Sequence, residues 1–531
     1  MSARVWWRAA AAIGCALGVA TGAVAQQPAP YPGTPPVMPA APVVTYPVVQ
    51  TPPSIAPVPA STTAPWAPTV PSVAASPAGS GTQGANSAPG GPTPSNTVPS
   101  GAADDAPKFD TVWNNGLFNQ TKGKDFVYHI GGSVHYDAAW YTGSDALQYF
   151  PGGVGRFQDG FNIRRGRLRA EGSMYKDYDF LFELEFFNGF YPAGLTVPPG
   201  FATVVNNLGP TDAWVTVKNV PVLGNVRIGS QKEWFSLEHL NSYRYLEFME
   251  RSYLFDQSLT AFNNGFSPGI SAFRTWADDR FFTGIGVYKN TTSDVGGFGL
   301  GDGQYAVTGR VTWLPVYCPD QQYFLHVGGA MSHRDPVDGQ YRLRVRDTVR
   351  NAPLPLLNLI ADTGVLNTDS VTMYNVESAA VYGPVTFQGE YQTIVLSDVR
   401  QTAAGPSLGT IPFQAFYVEG MVFLTGESRT WNPKTATFNR VIPKRNFGFE
   451  DGRWCGGWGA WELAARYTYL DATVRGITGG RLNNVTLGLN WYMTPNTKMQ
   501  FNYDYAYRDE SANPLVKGAI HAFGTRLAFD F

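Results

Sequence analysis

The chain ends Phe523-Gly524-Thr525-Arg526-Leu527-Ala528-Phe529-Asp530-Phe531. Strand side chains alternate with period two. Phe523, Thr525, Leu527, Phe529 and Phe531 therefore share one face of an extended segment. Gly524, Arg526, Ala528 and Asp530 share the other. A strand that is apolar on one face, polar on the other and closed by an aromatic residue suits the last strand of a barrel standing between lipid and water. The last strand of a soluble sheet can read the same way, so the preceding sequence must decide.

The same alternation recurs upstream. Phe126, Tyr128, Ile130, Gly132, Val134, Tyr136, Ala138 and Trp140 share a face, opposite Val127, His129, Gly131, Ser133, His135 and Asp137. Tyr178 to Phe186, Trp461 to Tyr469, Val485 to Met493 and Met499 to Tyr507 repeat it. Each run is about ten residues long, the length of a tilted membrane-crossing strand. Trp and Tyr collect at the ends of the runs, as in interfacial girdles. The polar faces carry charge, which fits an aqueous lumen better than a soluble core. Spread over residues 108–531, the pattern predicts an all-β fold: one transmembrane antiparallel barrel of about 16 strands, wide enough for a channel.

The front of the chain agrees with export. Arg4 and Arg8 precede the apolar run Ala9–Ala20, and Ala23-Val24-Ala25 offers a small-residue cleavage site. Residues 1–25 thus read as a signal peptide cleaved after Ala25. No later stretch holds roughly 18 consecutive apolar residues, so a membrane-crossing helix is not expected; lipid then leaves only strands closed into a barrel. Residues 26–107 hold 21 of the 40 prolines, and their only charges are Asp104 and Asp105. Such a composition cannot bury enough apolar surface to offset chain entropy. It predicts a disordered, extended linker, either a periplasmic spacer or a tether to a partner or the cell wall. Of the three cysteines, Cys15 leaves with the signal peptide. Cys318 follows Leu314-Pro315-Val316-Tyr317, which reads as a turn, while Cys455 reads as the start of a distant strand. Two separate thiols are expected.

Two arginine runs carry the functional reading. Arg165, Arg167 and Arg169 alternate with Gly166, Leu168 and Ala170; Arg342, Arg344 and Arg346 alternate with Tyr341, Leu343 and Val345. Arginine facing lipid costs kilocalories at the bilayer midplane, so both trios are expected to face water, in the lumen or, for the second, in a loop after the turn-like Asp335–Gly339. Guanidinium forks bind oxyanions in pairs of hydrogen bonds and stay charged at any working pH, and rings of Arg or Lys line anion pores. The competing reading is that these arginines balance inward carboxylates such as Glu171, Glu183, Glu185, Glu377, Glu390 and Glu462. Residues 108–531 contain 37 Lys plus Arg against 39 Asp plus Glu. Overall charge therefore draws no anion, and any selectivity must come from local placement. Six histidines, with no nucleophile paired to His129 or His135 and no Cys/His cluster at ligand spacing, point away from an enzyme and from a metal site. No cofactor and no nucleic-acid partner are expected.

Trp113-Asn114-Asn115-Gly116-Leu117, Arg164-Arg165-Gly166-Arg167-Leu168, Ile228 to Glu238, Phe248-Met249-Glu250-Arg251, Tyr341 to Arg346 and Gly459 to Tyr467 together resemble the phosphate-selective porin O and P family. The likeness covers essentially residues 108–531. It implies a 16-stranded outer-membrane barrel, usually trimeric, with a loop folded inward and arginines leading inorganic phosphate or other small anions to a constriction. Carried over by position, Arg342, Arg344 and Arg346 would form the ladder, Arg164 and Arg165 would flank the constriction, and Lys232 would join them. The Pro-rich segment is not part of the family pattern, and Glu233-Trp234 replaces a common Glu-Pro. Two alternatives stay open beside the anion porin: a general non-selective porin, and a structural outer-membrane anchor with a periplasmic tether.

Overall fold

The computed structural model describes residues 108–187, 208–259, 262, 265–290, 303–352, 357–450, 453–454, 456–509 and 515–531. The expected signal peptide and linker, and Cys455, lie outside them. Sixteen strands close into an antiparallel barrel. They are β1 (Phe126–Gly143), β2 (Gly160–Met174), β3 (Tyr178–Glu185), β4 (Gly209–Val220), β5 (Gly224–Lys232), β6 (Phe266–Trp276), β7 (Phe281–Lys289) and β8 (Tyr305–Cys318). They continue as β9 (Tyr323–Arg334), β10 (Ser370–Tyr382), β11 (Val385–Ser397), β12 (Ile411–Phe423), β13 (Ala460–Val474), β14 (Ile477–Thr494), β15 (Thr497–Asp509) and β16 (Gly518–Asp530). Each strand pairs with the next, and β16 returns to β1 with Phe523 opposite Trp140, Leu527 opposite Tyr136 and Asp530 opposite Ser133. Among the described residues no helix is long and apolar enough to cross a membrane.

The alternation holds residue by residue. On β16, Phe523, Leu527 and Phe529 are exposed on the outer face while Arg526 and Asp530 are buried within. On β1, Ile130, Tyr136 and Trp140 face out, and His129, Ser133, His135 and Asp137 are buried inside. Closure is completed by the final residue: the main chains of Phe531 and Gly132 exchange two hydrogen bonds, of 3.0 and 3.1 Å. Gly131 lies beside this seam, where a Cβ would run into the Phe531 carbonyl oxygen. Backbone cannot yield as a side-chain tip can, so Gly131→Val should displace the last strand. The expected result is a marked fall in the heat-modifiable, barrel-folded fraction on gel electrophoresis; an unchanged fraction would remove the seam's importance. A short hairpin, Phe109–Trp113 with Leu117–Thr121, extends the sheet beside the start of β1, where Phe118 stacks on His129 with ring centroids 4.6 Å apart.

Two local expectations are corrected. Leu314-Pro315-Val316-Tyr317 is not a turn but part of β8, where the register slips between Trp313 and Val316. Proline has no N–H to give to a ladder and is tolerated at such a bulge. Cys318 is therefore the last residue of β8, a half-buried free thiol. The second correction concerns β2. A bulge between β1 residues His135 and Tyr136 leaves Arg164 as the extra residue, with Arg165 opposite His135 and Ile163 opposite Tyr136. Both Arg164 and Arg165 are buried inside, so the inward series is Arg164, Arg165, Arg167 and Arg169, not the trio that strict alternation gives.

The connections after even-numbered strands are short turns, such as 175–177, 221–223 and 495–496, except for 424–459. Those after odd-numbered strands are mostly long. Bacterial barrels place short turns in the periplasm and long loops outside. Two long connections enter the barrel from opposite ends. Residues 233–265, between β5 and β6, carry short helices at Leu237–Leu240 and Tyr253–Ser258. Residues 424–459, between β12 and β13, enter from the short-turn end. The two meet inside: Arg429 pairs with Glu247, and Asn241 accepts the Phe438 main-chain N–H at 3.0 Å.

The lumen is consequently packed along the β10–β16 wall. Tyr341, Leu343 and Val345 bury an apolar face against Val371, Met373, Leu396, Ile411 and Phe413. Carboxylate and amide side chains of the wall hold segment 233–265 by its backbone. Glu390 accepts from the Leu237 and Glu238 N–H groups at 3.0 and 2.8 Å, and Asn490 donates to the Glu247 carbonyl at 2.8 Å. Loop backbone inside a barrel is viable only when its polar groups are met in this way.

Candidate functional site

Most of the sequence-predicted cations lie along a chain of contacts that runs down the barrel from the long-loop end. Arg342, Arg344 and Arg346 lie in the connection between β9 and β10 and are not on a strand of the barrel wall. There, two-residue ladders pair Gln340–Tyr341 with Leu366–Asn367 and Arg344–Val345 with Ala361–Asp362. The turn-like Asp335–Gly339 does turn, with Asp338 and Gly339 both at positive φ. Arg342 grips Asp362 with two hydrogen bonds of 2.8 and 2.5 Å. Burial opposes ionisation of Asp362, but this bond and the Arg342 charge outweigh it and hold the carboxyl below its usual range. Arg346 gives its main-chain N–H to Asp256 at 2.9 Å, and Asp256 also accepts from Arg350 at 2.8 Å.

The next station is Glu250, on the inward segment. Its carboxylate accepts from Arg164 at 2.9 and 3.1 Å, from Arg165 at 3.3 and 3.2 Å and from Arg526 at 2.8 Å, with Arg350 at 3.9 Å. Four guanidinium groups thus surround one buried carboxylate. Arg526 is shared with Asp137 at 2.7 and 2.6 Å. Arg466, from β13, donates to the Glu250 carbonyl at 3.2 Å.

Below it, towards the short-turn end, opens a cavity of about 440 Å³ between the β2–β5 wall and residues 242–245 and 432–439. Arg167 reaches it while pairing with Glu183 and Glu185, both at 2.6 Å, and lies over the Tyr243 ring at 4.3 Å. Arg169 pairs with Glu171. Lys232 gives its ammonium to the carbonyls of His239, at 2.7 Å, and Asn241, at 3.1 Å. Arg251 donates to Asn241 and Glu238 carbonyls beside it. Cations at a helix C-terminus meet both its dipole and its unpaired carbonyls.

Sequence reasoning did not single out Arg227, Arg244 or Asp212, which also line the cavity. Arg227 lies over the Trp214 ring at 3.8 Å, and its Nε donates to Thr216 at 3.1 Å. Neither Arg227 nor Lys232 has a carboxylate ion-pair partner among the described residues. Period-two alternation with outward Ile228 could have found Arg227; its stacking on a residue of the neighbouring strand could not be read that way. The lining holds five cations, Arg167, Arg169, Arg227, Lys232 and Arg244, and three carboxylates, Glu171, Glu183 and Asp212. Arg167 and Arg244 are also paired with Glu185 and Asp530 just beyond it, at 2.6 and 3.5 Å, which leaves Arg227 and Lys232 as its cations outside any ion pair among the described residues.

Comparison with known proteins gives this architecture a family. The family model for phosphate-selective porin O and P matches residues 130–531. An uncharacterized protein of Caulobacter vibrioides is 28% identical over 386 residues, 70% of this chain and 68% of its own length. Porin O of Pseudomonas aeruginosa is 22% identical over 447 residues, 78% of this chain and 91% of its own length. Among solved structures, the outer-membrane channel DcaP of Acinetobacter baumannii aligns with a TM-score of 0.43 at 12% identity, over 78% of this chain and 99% of its own. OprB of Pseudomonas putida gives 0.43 at 10% identity, over 77% and 95%. With its closed 16-stranded barrel and inward loop, this chain belongs to the phosphate-selective porin O and P family, the porins of the outer membrane.

Proposed function

We propose that this porin favours small anions, inorganic phosphate among them. The observation that supports the reading is the pair of inner-cavity cations, Arg227 and Lys232, that form no ion pair with a carboxylate among the described residues. A local positive constriction biases passage even when the whole chain carries a formal charge of −2. Arg342, Arg344 and Arg346 act as the outer collectors, and Arg164 and Arg165 line the approach. The protein works as a trimer. Its signal peptide is cleaved after Ala25, and residues 26–107 serve as a periplasmic spacer.

Replacing Arg342, Arg344 and Arg346 together by Ala should lower the chloride-over-potassium permeability ratio about twofold or more in planar bilayers, and it should weaken block of chloride current by phosphate. Unchanged selectivity in the triple variant would remove these arginines from the path. The pairing of Arg164, Arg165, Arg167 and Arg169 with carboxylates supports a second reading, a general porin; that reading predicts no block of chloride current by millimolar phosphate in the unmodified protein.

A further inference from the structure

The inner cavity is more than a ring of charge. Trp214, Tyr245, Leu240, Leu181 and Phe438 interleave with its cations. Its volume of about 440 Å³ falls in the range of small-molecule pockets, roughly 300–1,000 Å³, which pair apolar walls with a few placed polar groups. Inorganic phosphate would leave most of this wall unused.

Arg227 is placed to direct binding. Its guanidinium is spread over the Trp214 indole at 3.8 Å and approaches Phe273 at 5.0 Å, while its Nε is fixed on Thr216. The indole N–H is in turn fixed on Asp212 at 3.0 Å. A guanidinium stacked in this way keeps its edge N–H groups free for a carboxylate fork in the plane of the group. Beside that fork lie ring and aliphatic surfaces, with Asp212 held on the indole N–H and Lys232 also in the lining.

We infer that this cavity is a binding site for organic carboxylates with a flat apolar body, the carboxylate on Arg227 and the body against Trp214 and its apolar neighbours. The inference rests on the anion-porin reading and narrows its cargo. The carboxylate head needs the Arg227 fork, with Lys232 as a second cation of the lining. The body supplies apolar burial, worth roughly 25 cal/mol per Å² removed from water, which acetate and phosphate lack.

The test compares benzoate with acetate as blockers of chloride current through the full-length protein in planar bilayers. Benzoate should halve the current at a concentration at least tenfold below that of acetate. Trp214→Leu should bring benzoate close to acetate, and Arg227→Lys, which keeps the charge but not the fork, should weaken block by both. A chloride-selective channel blocked equally by benzoate and acetate would overturn this inference and leave the anion porin standing. A channel without chloride preference would overturn both. Because the decisive comparison is made on the unmodified protein, a variant that fails to fold does not affect it.

Discussion

Glu250→Gln should raise the anion preference of the channel several-fold and loosen the segment that carries it. Glu250 is gripped by Arg164, Arg165 and Arg526, with Arg350 at 3.9 Å. Removing its charge leaves a buried group of guanidinium side chains with one counter-charge fewer. Loss of one partner from a buried ion pair costs about 3–5 kcal/mol, because the remaining charge stays desolvated. The strain falls on residues 233–265, since the wall strands that hold the arginines are fixed by their ladders. Two results are therefore expected together: a higher chloride-over-potassium permeability ratio, and faster proteolysis of the connection between β5 and β6. Asp137 and Asp256 still neutralise Arg526 and Arg350, so the barrel itself should assemble. If neither selectivity nor proteolysis changes, the Glu250 cluster neither contributes to the path nor holds the segment.

Arg227→Glu should abolish the anion preference. The substitution turns five cations against three carboxylates around the inner cavity into four against four. Adding Lys232→Glu gives three against five and should make the channel prefer potassium. Charges in a narrow, low-dielectric passage are screened less than surface charges, so two residues can decide the sign. Lys232 also caps the carbonyls of His239 and Asn241, so the double variant risks displacing segment 233–265. Arg227→Gln supplies the control: it should lower the preference by an intermediate amount without placing a new carboxylate beside Asp212. Reversal potentials across a salt gradient read all three. A chloride preference that survives Arg227→Glu would show that anions do not pass this cavity.

The fold was legible because lipid imposes one rule on every strand. Ile130, Tyr136 and Trp140 had to face outward for the same physical reason as Phe523, Leu527 and Phe529, and a strict two-residue period records it. The site was less legible. Arg167 and Arg169 followed the alternation, but a bulge is a local change of register, and nothing in Ile163-Arg164-Arg165-Gly166 announces it. The carboxylate partners of the arginines were named in part: Glu171 and Glu183 lie where alternation puts them. Glu250 and Asp256, by contrast, reach the arginines from an irregular connection whose path no periodicity describes. The entry of residues 424–459 from the short-turn end was equally hidden, because inward loops are fixed by scattered single bonds such as those from Glu390 and Asn490. The arginines at 342, 344 and 346 did alternate with apolar residues as read, yet what Tyr341, Leu343 and Val345 cover is the inside of the barrel.

Anion preference set by Arg227 and Lys232 at the inner cavity leaves a direct electrical signature. The most direct measurement is the reversal potential of the purified full-length protein in a planar bilayer across a tenfold KCl gradient. The expected potential is displaced towards the chloride equilibrium value, with a smaller displacement in Arg227→Gln. A potential at zero or displaced towards potassium would contradict that preference.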